Sequence, residues 1–314
     1  MDFNQIHKIF FLGIGGIGMS ALARYFNQQG KEIFGYDLTA TPLTDALIVE
    51  GMTIQFDEKI DSLPPQIDLI IYTPAIPKEN RLFEYFRLGD TPVLKRSKVL
   101  GMLSEKIFTI AIAGTHGKTS ISALSAHLLK SSGMSITALI GGICKNYNSN
   151  VILSENSKYI LLEADEFDRS FLTIQPDIAV ISSMDADHLD VYESKNKLID
   201  SFKDFTKLIK PEGWCICQTK LKNALPKNSQ TIYYGIDAQA DMAAQNVRIE
   251  EGTFIFDFRA PGMTIQNIKM TVPGSHYIEN ATAAMAIGYK LGLNAEQLKK
   301  GIESFKGVSR RFEV

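Results

Sequence analysis

Apolar and polar positions along the chain fall into two successive series of strand and helix signals. "KIFFLGIG" is an apolar run that stops on glycines, the pattern of a strand buried on both faces of a parallel sheet. "GMSALARYFNQQG" then places apolar residues at helical spacing and closes on Gly30, a residue suited to end a helix. "KEIFGYD" predicts a second strand, "TPLTDALIVEG" a second helix, "DLIIYTPAI" a third strand and "TPVLK" a short fourth. After "KRSKVLGMLSEK" the series restarts with the strand "IFTIAIAG" and the helix "GKTSISALSAHLLKSSG". "KYILLEAD" and "DIAVISSMD" predict two further buried strands, and "ESKNKLIDSFKDFTKLIK" an amphipathic helix. From 213 to about 272 the pattern is β-rich, in "GWCICQ", "QTIYYG" and "GTFIFDFR"; the end is helical again, in "ENATAAMAIGYKLG" and "NAEQLKKGIESF".

Alternating strands and helices predict α/β architecture with parallel sheets. The expected fold is an N-terminal Rossmann-like doubly wound sheet over residues 1–105, then a P-loop α/β domain over 106–314 with an additional β-rich segment. A chain of 314 residues has room for two such domains.

Composition narrows the picture by exclusion. A net charge of −2 and 22% charged residues give no reason to expect nucleic acid or an anionic membrane as partner. No apolar run approaches the roughly 20 residues of a membrane span, and the N-terminus shows no secretory leader, so a cytoplasmic location is expected. The three cysteines, Cys144, Cys215 and Cys217, form no CxxC pair and read as buried thiols.

Two glycine loops carry the chemistry. Gly13, Gly15, Gly16 and Gly18 follow a strand and open a helix, where bare backbone N–H groups can approach a diphosphate. Asp37 ends the next strand, as a ribose-binding carboxylate would. Two readings stand open here: a nucleotide site, or a tight turn whose glycines permit close packing and whose Asp37 is a turn residue. The second loop is sharper. In "AIAGTHGKTS" a strand runs into Gly114, and Gly117, Lys118 and Thr119 open a helix. A lysine there reaches β- and γ-phosphates, and a threonine hydroxyl can ligate Mg²⁺. The spacing departs from G-x-x-x-x-G-K-[ST], since Ile112 stands where the first glycine would be.

Mg²⁺ requires hard oxygen ligands. Glu163, Asp165, Glu166 and Asp168 follow one strand; Asp185, Asp187, His188 and Asp190 follow the next. Both clusters fall at strand C-termini, the rim that carries the second loop. Each acid taken singly also fits a cap or solvated turn. Of the other histidines, His127 sits within the helix after the second loop and reads as packing or surface.

In order along the chain, "GIGGIGMSALA", "GYDL", "TPAIPKEN", "GTHGKTS", "EADEFDRSFL", "DADHLDVY", "PGSHYIENATAA" and "GVSRRFE" resemble the Mur ligases, most closely their alanine-adding members. The resemblance spans the whole chain. It implies ATP-dependent joining of L-alanine to the lactyl carboxylate of UDP-N-acetylmuramate through an acyl phosphate, in peptidoglycan precursor synthesis. It assigns Gly13, Gly15, Gly16, Gly18 and Asp37 to the UDP-sugar, and Gly114, Thr115, His116, Gly117, Lys118, Thr119, Ser120 and Asn280 to ATP. Lys118, Glu166 and His188 would be catalytic, with Thr119, Glu166 and His188 serving Mg²⁺. His116 also fits a purely structural role.

Some positions depart from the family. Tyr277 follows His276 where an Asn is common, which lowers the weight on His276. Lys203 stands where related ligases carry a carbamylated lysine, but the alanine-adding members generally lack it, so Lys203 reads as a solvated helix lysine. Arg310 and Arg311 match linker arginines. The family's third domain is expected to be missing from this chain, which would then bind ligands with little turnover. Monomer and dimer both fit. The other readings weighed are a ligase adding a recycled tripeptide to the same UDP-sugar, an NAD-dependent dehydrogenase, and a P-loop module that only senses nucleotide.

Overall fold

The computed structural model describes residues 1–185, 192, 194–226, 230–236 and 238–309, the side chain of residue 168 excepted. Contacts divide the chain into two units, Met1–Met102 and Leu103–Val314.

In the first unit the elements are β1 (Lys8–Leu12), α1 (Ile17–Gln28), β2 (Glu32–Tyr36), α2 (Pro42–Val49), β3 (Thr53–Gln55), β4 (Leu69–Tyr72), α3 (Arg81–Leu88) and β5 (Val93–Lys95), which runs into α4 (Arg96–Lys106). The strands lie in the order β3-β2-β1-β4-β5, all parallel. This is the expected Rossmann-like sheet. β1 is buried on both faces through Ile9, Phe10, Phe11 and Leu12, which is why its sequence is an unbroken apolar run. The strand order reverses direction at β1, with β2 on one side and β4 on the other, so the crevice beyond its C-terminal end is the switch point where such sheets take ligands. Thr41 closes the start of α2 with a capping box, and Asn80 caps α3.

The second unit contains β6 (Phe108–Ala113), α5 (Lys118–Ser131), β7 (Ile136–Cys144), β8 (Ser149–Ile152), β9 (Tyr159–Glu163), β10 (Ile178–Ile181), α6 (Lys195–Lys207), β11 (Trp214–Gln218), β12 (Thr231–Gly235), β13 (Met242–Glu250), β14 (Thr253–Ala260), β15 (Met263–Met270), α7 (His276–Lys290), α8 (Ala295–Glu303) and β16 (Val308–Ser309). Its sheet runs β15-β14-β13-β12-β11-β10-β6-β9-β7-β16, with β8 also on β7. From β12 to β7 the neighbours are parallel; the expected β-rich segment adds β13, β14 and β15, which pair antiparallel with one another. α5 and α7 lie in one apolar core with the sheet. The alanine run of α7 keeps that helix slim, and Gly288 and Gly301 admit Leu298 and Leu128 where a Cβ would collide.

Several elements escape the apolar pattern. β7 and β8 fill the stretch between α5 and β9, and β13 and β15 flank β14. α7 starts at His276, so Asn280 stands one turn inside the helix, not at its start. All three cysteines are free and buried; burial pushes the Cys215 thiol up to about 12 and Cys217 higher still. Among the described residues, no helix is long and apolar enough to cross a membrane.

Candidate functional site

The first loop turns between β1 and α1. The N–H groups of Gly13 and Ile14 donate to the Tyr36 carbonyl at 2.8 and 3.1 Å, which ties the loop to the end of β2. Gly13 has φ +84°, a conformation that favours glycine. The Gly15 N–H donates to the Asp37 carboxylate at 2.7 Å, and a Cβ on Gly15 would lie 2.9 Å from that same oxygen. Gly16 caps α1, and the Arg96 guanidinium lies against Gly18, 3.0 Å from where a Cβ would be. The structure thus gathers Gly13, Gly15, Gly16, Gly18 and Asp37 at the switch point of the first sheet. It also adds Arg96, which sequence reasoning passed over because nothing local links positions 18 and 96.

The second loop joins β6 to α5 at the middle of the second sheet. Gly114 and Gly117 have φ +137° and +83°, backbone conformations in which a side chain would strain the loop. Lys118, the first residue of α5, folds back over the loop. Its ammonium donates to the Gly114 carbonyl at 2.8 Å and to both oxygens of Glu166 at 2.9 and 2.7 Å. The Thr119 hydroxyl donates to Glu163 at 2.9 Å, and the other Glu163 oxygen accepts the Gly141 N–H of β7 at 2.8 Å. Burial pushes the Glu163 carboxyl above the ordinary range, against the lowering effect of those two donors. Thr115, Gly117, Lys118, Thr119, Ser120 and Glu163 line a cavity of about 440 Å³ together with Gly141, Gly142, His276, Tyr277, Val308 and Ser309. Asn280 is buried against the loop, its amide oxygen 3.1 Å from where a Cβ on Gly117 would stand.

The acidic clusters separate by role. Glu163 is the last residue of β9 and pairs in register with Ile112 of β6, which brings its side chain to Thr119. Asp165 caps the following turn by accepting the Phe167 N–H at 3.2 Å. Glu166 is fully buried on Lys118. Thr119 and Glu166 share no hydrogen bond among the described residues. Asp185 is exposed, 3.7 Å from His116. The Asp168 side chain, Asp187, His188, Asp190, Arg310 and Arg311 lie outside the described residues. Lys203 makes a surface pair with Asp200 at 2.8 Å, as a solvated lysine does. His127 is buried between the Tyr147 and Ser304 hydroxyls at 3.0 and 2.8 Å, and burial lowers it to about 4. It is a packing residue.

The donor set bears on two groups the sequence implies. A hydroxyl and a carboxylate held 2.9 Å apart beside a lysine are hard oxygens of the kind Mg²⁺ takes. The first turn of α5 offers N–H groups with no carbonyl four residues back, which suits phosphate oxygens. Glu163, like Asp165 and Asp168, has no role in the sequence reading, which named only Glu166 of this cluster; its place at the strand end, before the turn-forming Asp165, is the signal that separates it.

Known proteins match this chain along nearly its whole length. The profile of the Mur ligase middle domain matches residues 112–288, and that of the Mur ligase family catalytic domain matches residues 8–107. The chain is 43% identical to the UDP-N-acetylmuramate--L-alanine ligase of Christiangramia forsetii, over 99% of its own length and 69% of that protein's. Against the UDP-N-acetylmuramate--L-alanine ligase of Phocaeicola vulgatus it is 44% identical, over 100% of this chain and 70% of the relative. Among solved structures, the UDP-N-acetylmuramate-alanine ligase MurC of Thermotoga maritima matches with a TM-score of 0.84 at 27% identity, covering 97% of this chain and 70% of that one.

Proposed function

The chain belongs to the Mur ligase family, and on that premise we propose that it carries the nucleotide sites of an ATP-dependent UDP-N-acetylmuramate–L-alanine ligase acting in the cytoplasm. The observation that carries the proposal is the convergence of Lys118, the Thr119–Glu163 pair and the start of α5 on one cavity. ATP would bind there with its phosphates on the first turn of α5 and its adenine toward Asn280. The lactyl carboxylate of the UDP-sugar attacks the γ-phosphorus and ADP leaves; the amine of L-alanine then displaces phosphate and loses a proton as the amide forms.

Each step asks something of this chain's residues. Lys118 neutralises phosphate charge as it moves to the leaving group, from a position already fixed by Glu166 and Gly114. Thr119 and Glu163 would hold Mg²⁺, which when bound supplies charge stabilisation to the transferring phosphoryl group. Glu166 acts through Lys118. His188 keeps the acyl-phosphate or second-metal role that the family resemblance implies. Gly13, Gly15, Gly16, Gly18 and Asp37 take the UDP moiety, Gly15 by releasing its N–H from Asp37 to the diphosphate. The chain spans 69% to 70% of the two relatives' length, and the 314-residue polypeptide on its own is expected to bind its nucleotides with little turnover.

Calorimetric titration with UDP-N-acetylmuramate, with NAD as parallel ligand, tests the reading. Binding of the UDP-sugar that weakens in Gly15→Val, with no NAD signal, is the expected result. NAD binding without a response to the UDP-sugar overturns it.

A further inference from the structure

The second loop contains two kinds of N–H group. Those of Thr115 and His116 are directed to the exit of β10: the Thr115 N–H donates to the Ser183 carbonyl at 3.2 Å and the His116 N–H to the Ser183 hydroxyl at 2.7 Å. The Ser183 hydroxyl also lies 2.9 Å from the Thr115 hydroxyl, which accepts the Asp185 N–H at 3.0 Å. Next to it, the Ser182 hydroxyl donates to the His116 carbonyl. The N–H groups of the other kind belong to the start of α5 and to cavity-lining residues, Gly117 through Ser120.

A serine hydroxyl has one proton and two lone pairs. Here the His116 N–H takes a lone pair, the Thr115 hydroxyl engages a second site and the His116 carbonyl lies 3.4 Å away on the third, so Ser183 is committed to the loop and not to any ligand in the cavity. Residues 115 and 116 lie between two glycines at positive φ, the least restrained points of the backbone. Without a tether, that pair of peptides would sample other orientations, and only a fraction of molecules would present the following amides to phosphate. The apparent affinity falls by that fraction.

We propose that Ser183 is a positioning residue of the nucleotide site: it fixes Thr115 and His116 so that the amides from Gly117 to Ser120 are set for the phosphates. This rests on the ATP-site reading above and adds a division of labour within it. The His116 amide is structural, and phosphate recognition begins at Gly117.

The test is titration of the 314-residue chain with Mg·ATP and, separately, UDP-N-acetylmuramate. Ser183→Ala is expected to weaken ATP about tenfold, the value of one lost ordering hydrogen bond, and to leave UDP-sugar affinity unchanged. Ser183→Thr, which keeps the hydroxyl, restores ATP affinity to within about twofold. Thr115→Val removes the other half of the hydroxyl pair and weakens ATP similarly, while the double variant loses less than the sum of the two. If Ser183→Ala does not fold, Thr115→Val alone decides. Unchanged ATP affinity in these variants, or an equal loss of both ligands, overturns the inference. A parent chain that binds the UDP-sugar but not ATP overturns the ATP-site reading itself, and the inference with it.

Discussion

Replacing Lys118 with methionine is the natural way to disable the second loop, and the structure predicts that it damages more than phosphate binding. The Glu166 side chain has 0% exposure and the Lys118 side chain 14%, with the ammonium 2.7 Å from the carboxylate. Removing one partner of a buried pair takes the counter-charge from the other, at a cost of about 3–5 kcal/mol. For a unit of this size each kcal/mol moves the midpoint by roughly 2–4 °C, so Lys118→Met should melt roughly 10 °C below the parent. Glu166→Gln in the same chain removes the buried charge that has lost its ammonium and keeps the shape, so the double variant should regain most of that stability. Thermal unfolding followed by circular dichroism reads all three proteins. A Lys118→Met chain melting within about 1 °C of the parent, or a double variant no better than the single, would refute the reasoning. ATP binding should be absent in both lysine variants. Only the double variant therefore isolates the phosphate contact from the loss of fold.

Three further outcomes follow from the geometry. His127 is lowered by burial, and secondarily by Lys306, to about 4, so the folded state binds fewer protons than the unfolded one. Its stability is complete above the unfolded value near 6.5 and is lost as pH falls toward 4; unfolding free energies from urea titrations at pH 7 and pH 5 should differ by about 2 kcal/mol, a difference that shrinks in His127→Gln. Glu163 is raised by burial, so Mg²⁺ and protons compete for its carboxylate, and metal affinity should climb as pH rises through that group's titration; Mg²⁺ titrations in two buffers of different ionisation enthalpy detect protons released on binding, a signal that Glu163→Gln abolishes. A Cβ on Gly288 would lie 2.7 Å from Leu298 and 3.1 Å from Leu293, so Gly288→Ala should cost about 1–3 kcal/mol in denaturant unfolding with nucleotide affinity unchanged.

Both loops were legible because their signals are local. A strand, glycines at forced φ and a helix start follow one another within a dozen residues, and their chemistry depends on the backbone more than on distant partners. The acid assignment was not local. "EADEFD" shows three acids by residue 166, and all would serve as cap, ligand or turn. What separates them is where β9 ends. Glu163 remains on the strand beside β6, Asp165 turns back on its own backbone, and Glu166 is carried to Lys118. The reading that put Thr119 and Glu166 on one Mg²⁺ followed the family resemblance; the local pattern did not show that the Thr119 hydroxyl is directed to Glu163 and the Lys118 ammonium to Glu166.

β7 was missed for a related reason. "ITALIGGIC" carries two glycines at its centre, which weaken a strand signal. In the sheet those glycines are where the site comes closest: the Gly141 N–H holds Glu163, and a Cβ on Gly142 would lie 3.0 Å from the Thr119 methyl. Glycine inside a strand often marks such an approach, so the feature that hid the strand is the one that lets β7 support the Thr119–Glu163 pair. The same logic applies at β10, where Ser182 and Ser183 look like an unremarkable strand exit until their hydroxyls are seen to satisfy the peptides of the loop. The second loop therefore rests on two neighbours that its own motif does not encode: a strand bare enough to let an acid reach its threonine, and a strand end polar enough to occupy the amides of Thr115 and His116.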